Sequence, residues 1–256
     1  MPLSVTQNLY DFLTIARKKR WLCKWFWIDA LCIDQVNAAE RSHQVAHIGH
    51  IYAHLLRVMV WFGNPVSRHI RAVKATDLDS WRSFVLENEY WDRAWVTQEV
   101  VLARKVTVLI NDTTTSLRKL VDRVSDGLTT SWLSSPMRVL VNAGLLLRFG
   151  ETKPRLLDLL QNDTWAKKKC GIPRDRIFSI IGLVREGDDI AVDYESTSSD
   201  LALNILRVCG LVPCLHQVLT LLRALGVDEP TSVRFHSAYH PTTSSQHLAQ
   251  SKLQDL

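Results

Sequence analysis

Several signatures are missing from this chain of 256 residues, and each absence removes a class of protein. The five cysteines, at 23, 32, 170, 209 and 214, are odd in number and include no CxxC pair. That excludes a disulfide framework or a zinc ribbon and fits a reducing, cytoplasmic setting. The first ten residues carry no basic segment followed by an apolar core, and no stretch reaches the ~18 uninterrupted apolar residues of a membrane span. Gly 10 and Pro 8 rule out fibrous or low-complexity chains. No glycine-rich phosphate loop, GxSxG elbow or HExxH pair occurs, so the common sequence routes to phosphate, serine-hydrolase and zinc-protease chemistry are closed. Neither sign of charge dominates: 31 Lys+Arg stand against 26 Asp+Glu, a net +5. The basic runs, Arg17-Lys18-Lys19-Arg20 and Lys167-Lys168-Lys169, are short and read as solvated helix ends, so no nucleic-acid partner is expected.

What is present is a chain 46% hydrophobic, long enough for one large domain or two small ones. Seven of its nine tryptophans lie before residue 100, so the first part differs from the rest. Apolar Leu9, Phe12, Leu13 and Ala16 recur at helical spacing ahead of the basic run at 17–20, where cations suit a helix C-terminus. Trp25-Phe26-Trp27-Ile28 reads as a strand buried on both faces, and Val58 to Phe62, closed by Gly63-Asn64-Pro65, as a second. Between them, Asn37 with Glu40 resembles a capping box opening a helix to about Arg57, with Val45, Ile48, Tyr52 and Leu55 on one stripe. Strand, helix, strand predicts a right-handed βαβ unit with parallel strands.

Residues 77–89 and 90–104 read as helices, and Lys105–Ile110 as a third strand ending at Asn111-Asp112. Beyond it, 116–126, 136–149, 154–162, 174–184 and 199–225 all read as helices, and only Ile190–Tyr194 as short and extended. The expected division is an α/β core over 1–112, a mostly helical part over 113–227 and a polar, disordered tail over 228–256.

Ligands of parallel sheets bind at the carboxyl ends of strands. Asp29, Cys32, Asp34 and Gln35 follow the first strand there; the same residue types also cap turns and helix ends. Cys32 with His43 or His47 could form a nucleophile and base, or Cys32 could simply pack. His43, His47, His50 and His54 share one helix face roughly opposite the apolar stripe, so they face solvent and no metal site is expected. In the segment 90–100, Trp91, Trp95 and Glu99 fall one turn apart, with Arg93 between. A carboxylate behind two indoles would have a raised pKa suited to acid/base or cation-stabilising work; the alternative is a packing stripe with Glu99 ion-paired to Arg93 or Arg104.

Three ordered blocks resemble the heterokaryon incompatibility (HET) domain of filamentous fungi. They are Trp27-Ile28-Asp29-Ala30-Leu31-Cys32-Ile33-Asp34-Gln35 continuing through Glu40-Arg41, Gln44-Val45 and Ile51-Tyr52 to Val60-Trp61-Phe62-Gly63; Tyr90-Trp91-Asp92-Arg93-Ala94-Trp95-Val96-Thr97-Gln98-Glu99; and Pro173-Arg174-Asp175-Arg176-Ile177-Phe178 with Gly182-Leu183 and Asp193-Tyr194. The resemblance implies fungal nonself recognition with programmed cell death, and a TIR-like α/β fold: a parallel sheet flanked by helices, followed here by a mostly helical extension. Through distant kinship to NAD-cleaving TIR domains, Trp95 and Glu99 resemble their tryptophan and catalytic glutamate. Glu99 is then the candidate catalytic residue, and Asp29, Cys32, Asp34, Gln35, Trp91, Arg93 and Trp95 the candidate substrate-binding ones. No cofactor is implied, with NAD as the possible substrate. The partners implied are a second copy or other incompatibility proteins. Against the family pattern, the strand and loop expected ahead of the first helix are missing. The alternative functions are a non-catalytic signalling or self-association module, or an inactive truncated paralogue.

Overall fold

The computed structural model describes residues 5–19, 25–63, 78–110, 113–125, 136–137, 140, 152–161, 165, 167–210 and 213–227. The first element is helix α1 (Gln7–Lys18), whose N-cap Thr6 accepts from the Leu9 amide and whose last turn carries Arg17 and Lys18. Cap and cations both complement the exposed helix ends. A one-turn helix α2 (Asp29–Cys32) and the long α3 (Ala38–His54) follow. Asn37 caps α3, its side chain accepting from the Glu40 amide at 3.1 Å. Val45, Ile48 and Tyr52 form the buried stripe, while all four histidines at 43, 47, 50 and 54 are exposed, as the helical phase requires.

Strand β1 (Val58–Trp61) leads through α4 (Leu78–Leu86), a 3₁₀ turn (Glu89–Asp92) and α5 (Val96–Val101) to β2 (Val106–Ile110), which pairs parallel to β1. β3 (Thr113–Ser116) then pairs antiparallel to β2, giving the order β1-β2-β3. The sheet is therefore mixed. The expectation of a parallel sheet holds for β1 and β2 only, because the chain after Ile110 folds straight back instead of crossing over.

The second half carries α6 (Leu117–Ser125), α7 (Leu156–Leu160), the single turn α8 (Asp175–Phe178), α9 (Ser198–Val208) and α10 (Leu215–Ala224). The helix expected over 199–225 is two. Gly210 at φ +63° ends α9 in the left-handed region and Pro213 precedes the new start. The helix expected over 174–184 shortens to α8 and a 3₁₀ turn at Ile181–Leu183. The expected helix at 136–149 lies mostly outside the described residues, and the expected tail at 228–256 wholly so.

The sheet is covered on both faces. Val58, Val60, Val106 and Val108 join a large core that also holds Val45, Trp91, Phe178, Ile205 and Leu221. Trp61 and Leu109 face the other way, onto Phe12 of α1, and Trp61 Nε1 donates to Asn8 Oδ1 at 3.1 Å. Strand alternation places each neighbour in the opposite layer.

Three further expectations need correction. Trp25–Ile28 joins no strand ladder, and Trp25 is 86% exposed. The segment keeps a strand's alternation, since Phe26 and Ile28 pack on the Phe12 layer and Trp27 on Tyr52, but among the described residues it pairs with no strand. The segment 90–104 is not one helix. It breaks at Arg93-Ala94, where the Ala94 amide donates to Lys169 O (2.9 Å) and the Lys169 amide to Asp92 O (2.7 Å). Those strand-like bonds replace the i→i−4 bonds a continuous helix would make. Finally, Lys167–Lys169 is not a solvated helix end: Lys169 forms this bridge, and Lys168 is 4% exposed.

Candidate functional site

A cavity of about 550 Å³ opens between Trp25–Ala30, β1 and the carboxyl end of α3, and Glu99 reaches it from α5. Its walls are mostly apolar, and four of its polar groups, Asp29, Tyr90, Arg93 and Glu99, interact with one another, while Thr6, Asn8 and Arg57 also line it. A mainly apolar pocket with a few convergent polar groups is the usual form of a small-molecule site, and the volume is in the usual range of ~300–1,000 Å³.

Glu99 is held by its neighbours. The Tyr90 hydroxyl donates to Glu99 Oε2 at 2.9 Å. Tyr90 is itself fixed, its amide donating to Asn88 Oδ1 at 3.0 Å and its ring set edge-on against Phe62 and Trp91. Phe62, directly after β1, thus packs against the ring of the residue that holds Glu99. Burial pushes the Glu99 carboxyl above the usual carboxylate range; Arg93 and the Tyr90 hydrogen bond pull it back, and Asp29 adds to the rise. The same burial and the Glu99 charge raise the Tyr90 and Tyr52 phenols well above their ordinary value, so both stay protonated donors.

The other sequence-derived candidates divide. Asp29 and Arg93 line the cavity with Glu99. Cys32, Asp34 and Gln35 are exposed. Asp34 Oδ1 accepts from the Val36 and Asn37 amides, and Gln35 Nε2 donates to Asp29 O, so both shape the approach to α3. Trp91 is fully buried and donates to Val85 O at 2.7 Å, so it is a core residue. The carboxylate behind two indoles is not formed: the break at Arg93-Ala94 turns Trp91 away, and Trp95 hydrogen-bonds Asp175. Tyr90, Trp27 and Tyr52 also line the cavity; the sequence placed them in the family blocks but not in the site. Only the recurrence of aromatics around Glu99 hinted at them.

A second polar cluster joins distant parts of the chain. Asp175 accepts from the Tyr194 hydroxyl at 2.6 Å and from the Trp95 indole, while the Arg41 guanidinium lies 3.9 Å from the centre of the Tyr194 ring. The Tyr194 amide donates to Ser42 Oγ, and Arg174 donates to Asp193 O and Ser196 O. The three sequence blocks thus meet at Asp175. This cluster is part of the packing rather than of the cavity. Among the described residues, no group of three or more His, Cys, Asp or Glu could hold a metal ion, and no helix is long and apolar enough to cross a membrane.

Residues 1–79 match the family model described as Heterokaryon incompatibility protein (HET). The second and third blocks, including Glu99 and Asp175, lie beyond the matched residues. No curated protein and no solved structure matches the chain.

Proposed function

On the premise that residues 1–79 are of the HET family, we propose that this protein acts in nonself recognition in the cytoplasm of fungal cells, triggering programmed cell death by hydrolysing NAD or a related nucleotide at the Glu99 cavity. The observation that supports the reading is that Glu99, anchored by Tyr90, lines one cavity with Asp29 and Arg93. The TIR kinship that suggested NAD adds to it only by resemblance.

The chemistry suits the site. As the bond between the ribose C1′ and the nicotinamide nitrogen breaks, its electron pair leaves with nicotinamide and positive charge develops on the sugar. A carboxylate in a mostly apolar cavity stabilises that charge more than it would in water. Water then bonds to C1′ and gives up a proton, much as in glycoside cleavage. Trp27, Tyr52 and Tyr90 offer faces and edges for a flat base. Glu99 acts here as the carboxylate, so its raised pKa means activity falls as pH drops through that value.

The alternative, a non-catalytic module working through self-association or other incompatibility proteins, is favoured by the structural use of Trp91, Asp34 and Gln35. Expression of the chain and of Glu99→Gln in a filamentous fungus, with cellular NAD and viability followed together, separates the two. Hydrolysis predicts NAD loss that slows at least tenfold in Glu99→Gln. Cell death with undiminished NAD, or equal NAD loss in both, overturns the enzymatic reading.

A further inference from the structure

Among the described residues β1 is an edge strand, with β2 as its one neighbour. The Val58 amide donates to Lys105 O of the β2 side at 2.9 Å, so in this parallel ladder Val58 and Val60 spend their main-chain groups on β2. The N–H and C=O of Met59 and Trp61 therefore point to the opposite edge, where no described residue hydrogen-bonds them. Across from that edge runs 25–28, whose Phe26 and Trp27 main chains are likewise unpaired. Its side chains alternate between the same two layers as those of β1: Phe26 and Ile28 with Met59 and Trp61, Trp27 with Tyr52 and the main core. The segment thus lies in the plane of the sheet, separated from β1 by the cavity.

The gap has the volume of a short strand segment. A residue in a sheet occupies ~3.3 Å along the strand, ~4.8 Å between strands and ~10 Å between layers, or ~160 Å³. The cavity of about 550 Å³ then corresponds to between three and four residues, against the four of β1. Leu9 and Phe12 close it on one face, and Tyr52 and Leu55 on the other. A strand buried on both faces is a continuous apolar run. One end of the gap carries two carboxylates, Asp29 and Glu99, against Arg93, which favours a cation there.

We propose that this gap is a docking site for one extended segment of a partner protein: about four consecutive apolar, β-branched residues with a Lys or Arg at the end that reaches Asp29 and Glu99, entering as a strand paired to β1. Strand addition satisfies main-chain groups that are otherwise left to water, and an open edge is a ready template for it. A docked strand fills the cavity that the hydrolase reading gives to NAD, so the two occupants exclude each other; strand docking needs no catalysis, so it and the hydrolase reading can fail separately.

The test is amide hydrogen exchange by NMR on the full chain, without NAD, using an acetylated and amidated Lys-Val-Ile-Val-Val-Lys peptide as probe. In the free protein the Val58 and Val60 amides exchange slowly, and those of Met59 and Trp61 at least tenfold faster. Saturating peptide slows Met59 and Trp61 at least tenfold and leaves Val58 and Val60 unchanged. N-methylation of alternate peptide amides on the β1 side, or Glu in place of both lysines, weakens binding at least tenfold. Slow exchange at Met59 and Trp61 in the free protein overturns the proposal, because the edge is then already closed by this chain or a second copy. No slowing with peptide, equal binding of the N-methylated peptide, or equal binding of the Glu-flanked one also overturns it.

Discussion

Lys168 offers the sharpest quantitative test of the packing. It is 4% exposed, its ammonium donates to Trp91 O, and burial lowers its pKa to about 8 against the partial support of Asp92. With an unfolded pKa of ~10.4, the unfolded chain binds more protons than the native one between those two values, so this lysine makes stability rise with pH there. Below pH 8 the folded lysine is charged and its burial cost is fully present; above pH 10.5 both states are neutral and the cost is gone. Integrating the linkage from pH 7 to pH 9.5 gives a gain of ~2 kcal/mol, steepest near pH 9 at ~1.2 kcal/mol per pH unit. Cys209, raised by burial to about 11, opposes this because its unfolded thiol ionises first. The observable is therefore the difference between the protein and Lys168→Met, which keeps the length, removes the titration and leaves the other groups in place. Urea unfolding at half-unit steps from pH 7 to 9.5 measures it; stopping there limits ionisation of unfolded tyrosines, whose folded counterparts Tyr52 and Tyr90 are raised, and what remains cancels in the difference. The stability of the protein relative to Lys168→Met should climb by ~2 kcal/mol across the range. A flat difference would show that the Lys168 ammonium is solvated rather than buried against Trp91 O.

Two further outcomes follow from close contacts. The Tyr90 hydrogen bond lowers the Glu99 pKa, so Tyr90→Phe should move the Glu99 titration, read by carboxyl carbon NMR, to higher pH, and with it the acid limb of any NAD loss; an unmoved titration would show that the bond is absent. A Cβ on Gly182 would lie 3.0 Å from Gln98 Oε1 and 3.3 Å from Leu102 Cδ1. Gln98 is fully buried and pinned by its bond to Phe178 O at 2.7 Å, so it cannot swing aside. Gly182→Ala should cost ~1–3 kcal/mol in urea unfolding, and a change below ~0.5 kcal/mol would refute the tight seat.

Local signals identified the elements whose physics is local. The Asn37 cap, the Val45-Ile48-Tyr52 stripe with histidines opposite, and the β-branched runs of β1 and β2 all formed where periodicity put them. The failures share a cause. The backbone of 90–104 is helical by pattern, yet Lys169, more than seventy residues on, takes the bonds at Asp92 and Ala94. Trp25–Ile28 has a strand's composition and alternation, but a ladder needs a partner at bonding distance, which composition cannot supply. In the site, Glu99 was legible as a carboxylate among aromatics, whereas the aromatics that hold it, Tyr90 foremost, depended on which way the broken segment turned.

The sequence by itself determined the resemblance to the HET family, the capped helix α3 and the two strand cores, because caps, turn residues and hydrophobic periods act over a few residues. Tertiary structure alone decided that β1 has no second strand neighbour among the described residues, that Lys168 is buried, and that Asp29, Tyr90, Arg93 and Glu99 share a cavity. Those features arise from contacts between distant segments, where burial and unpaired main-chain groups are settled only once the whole chain has packed.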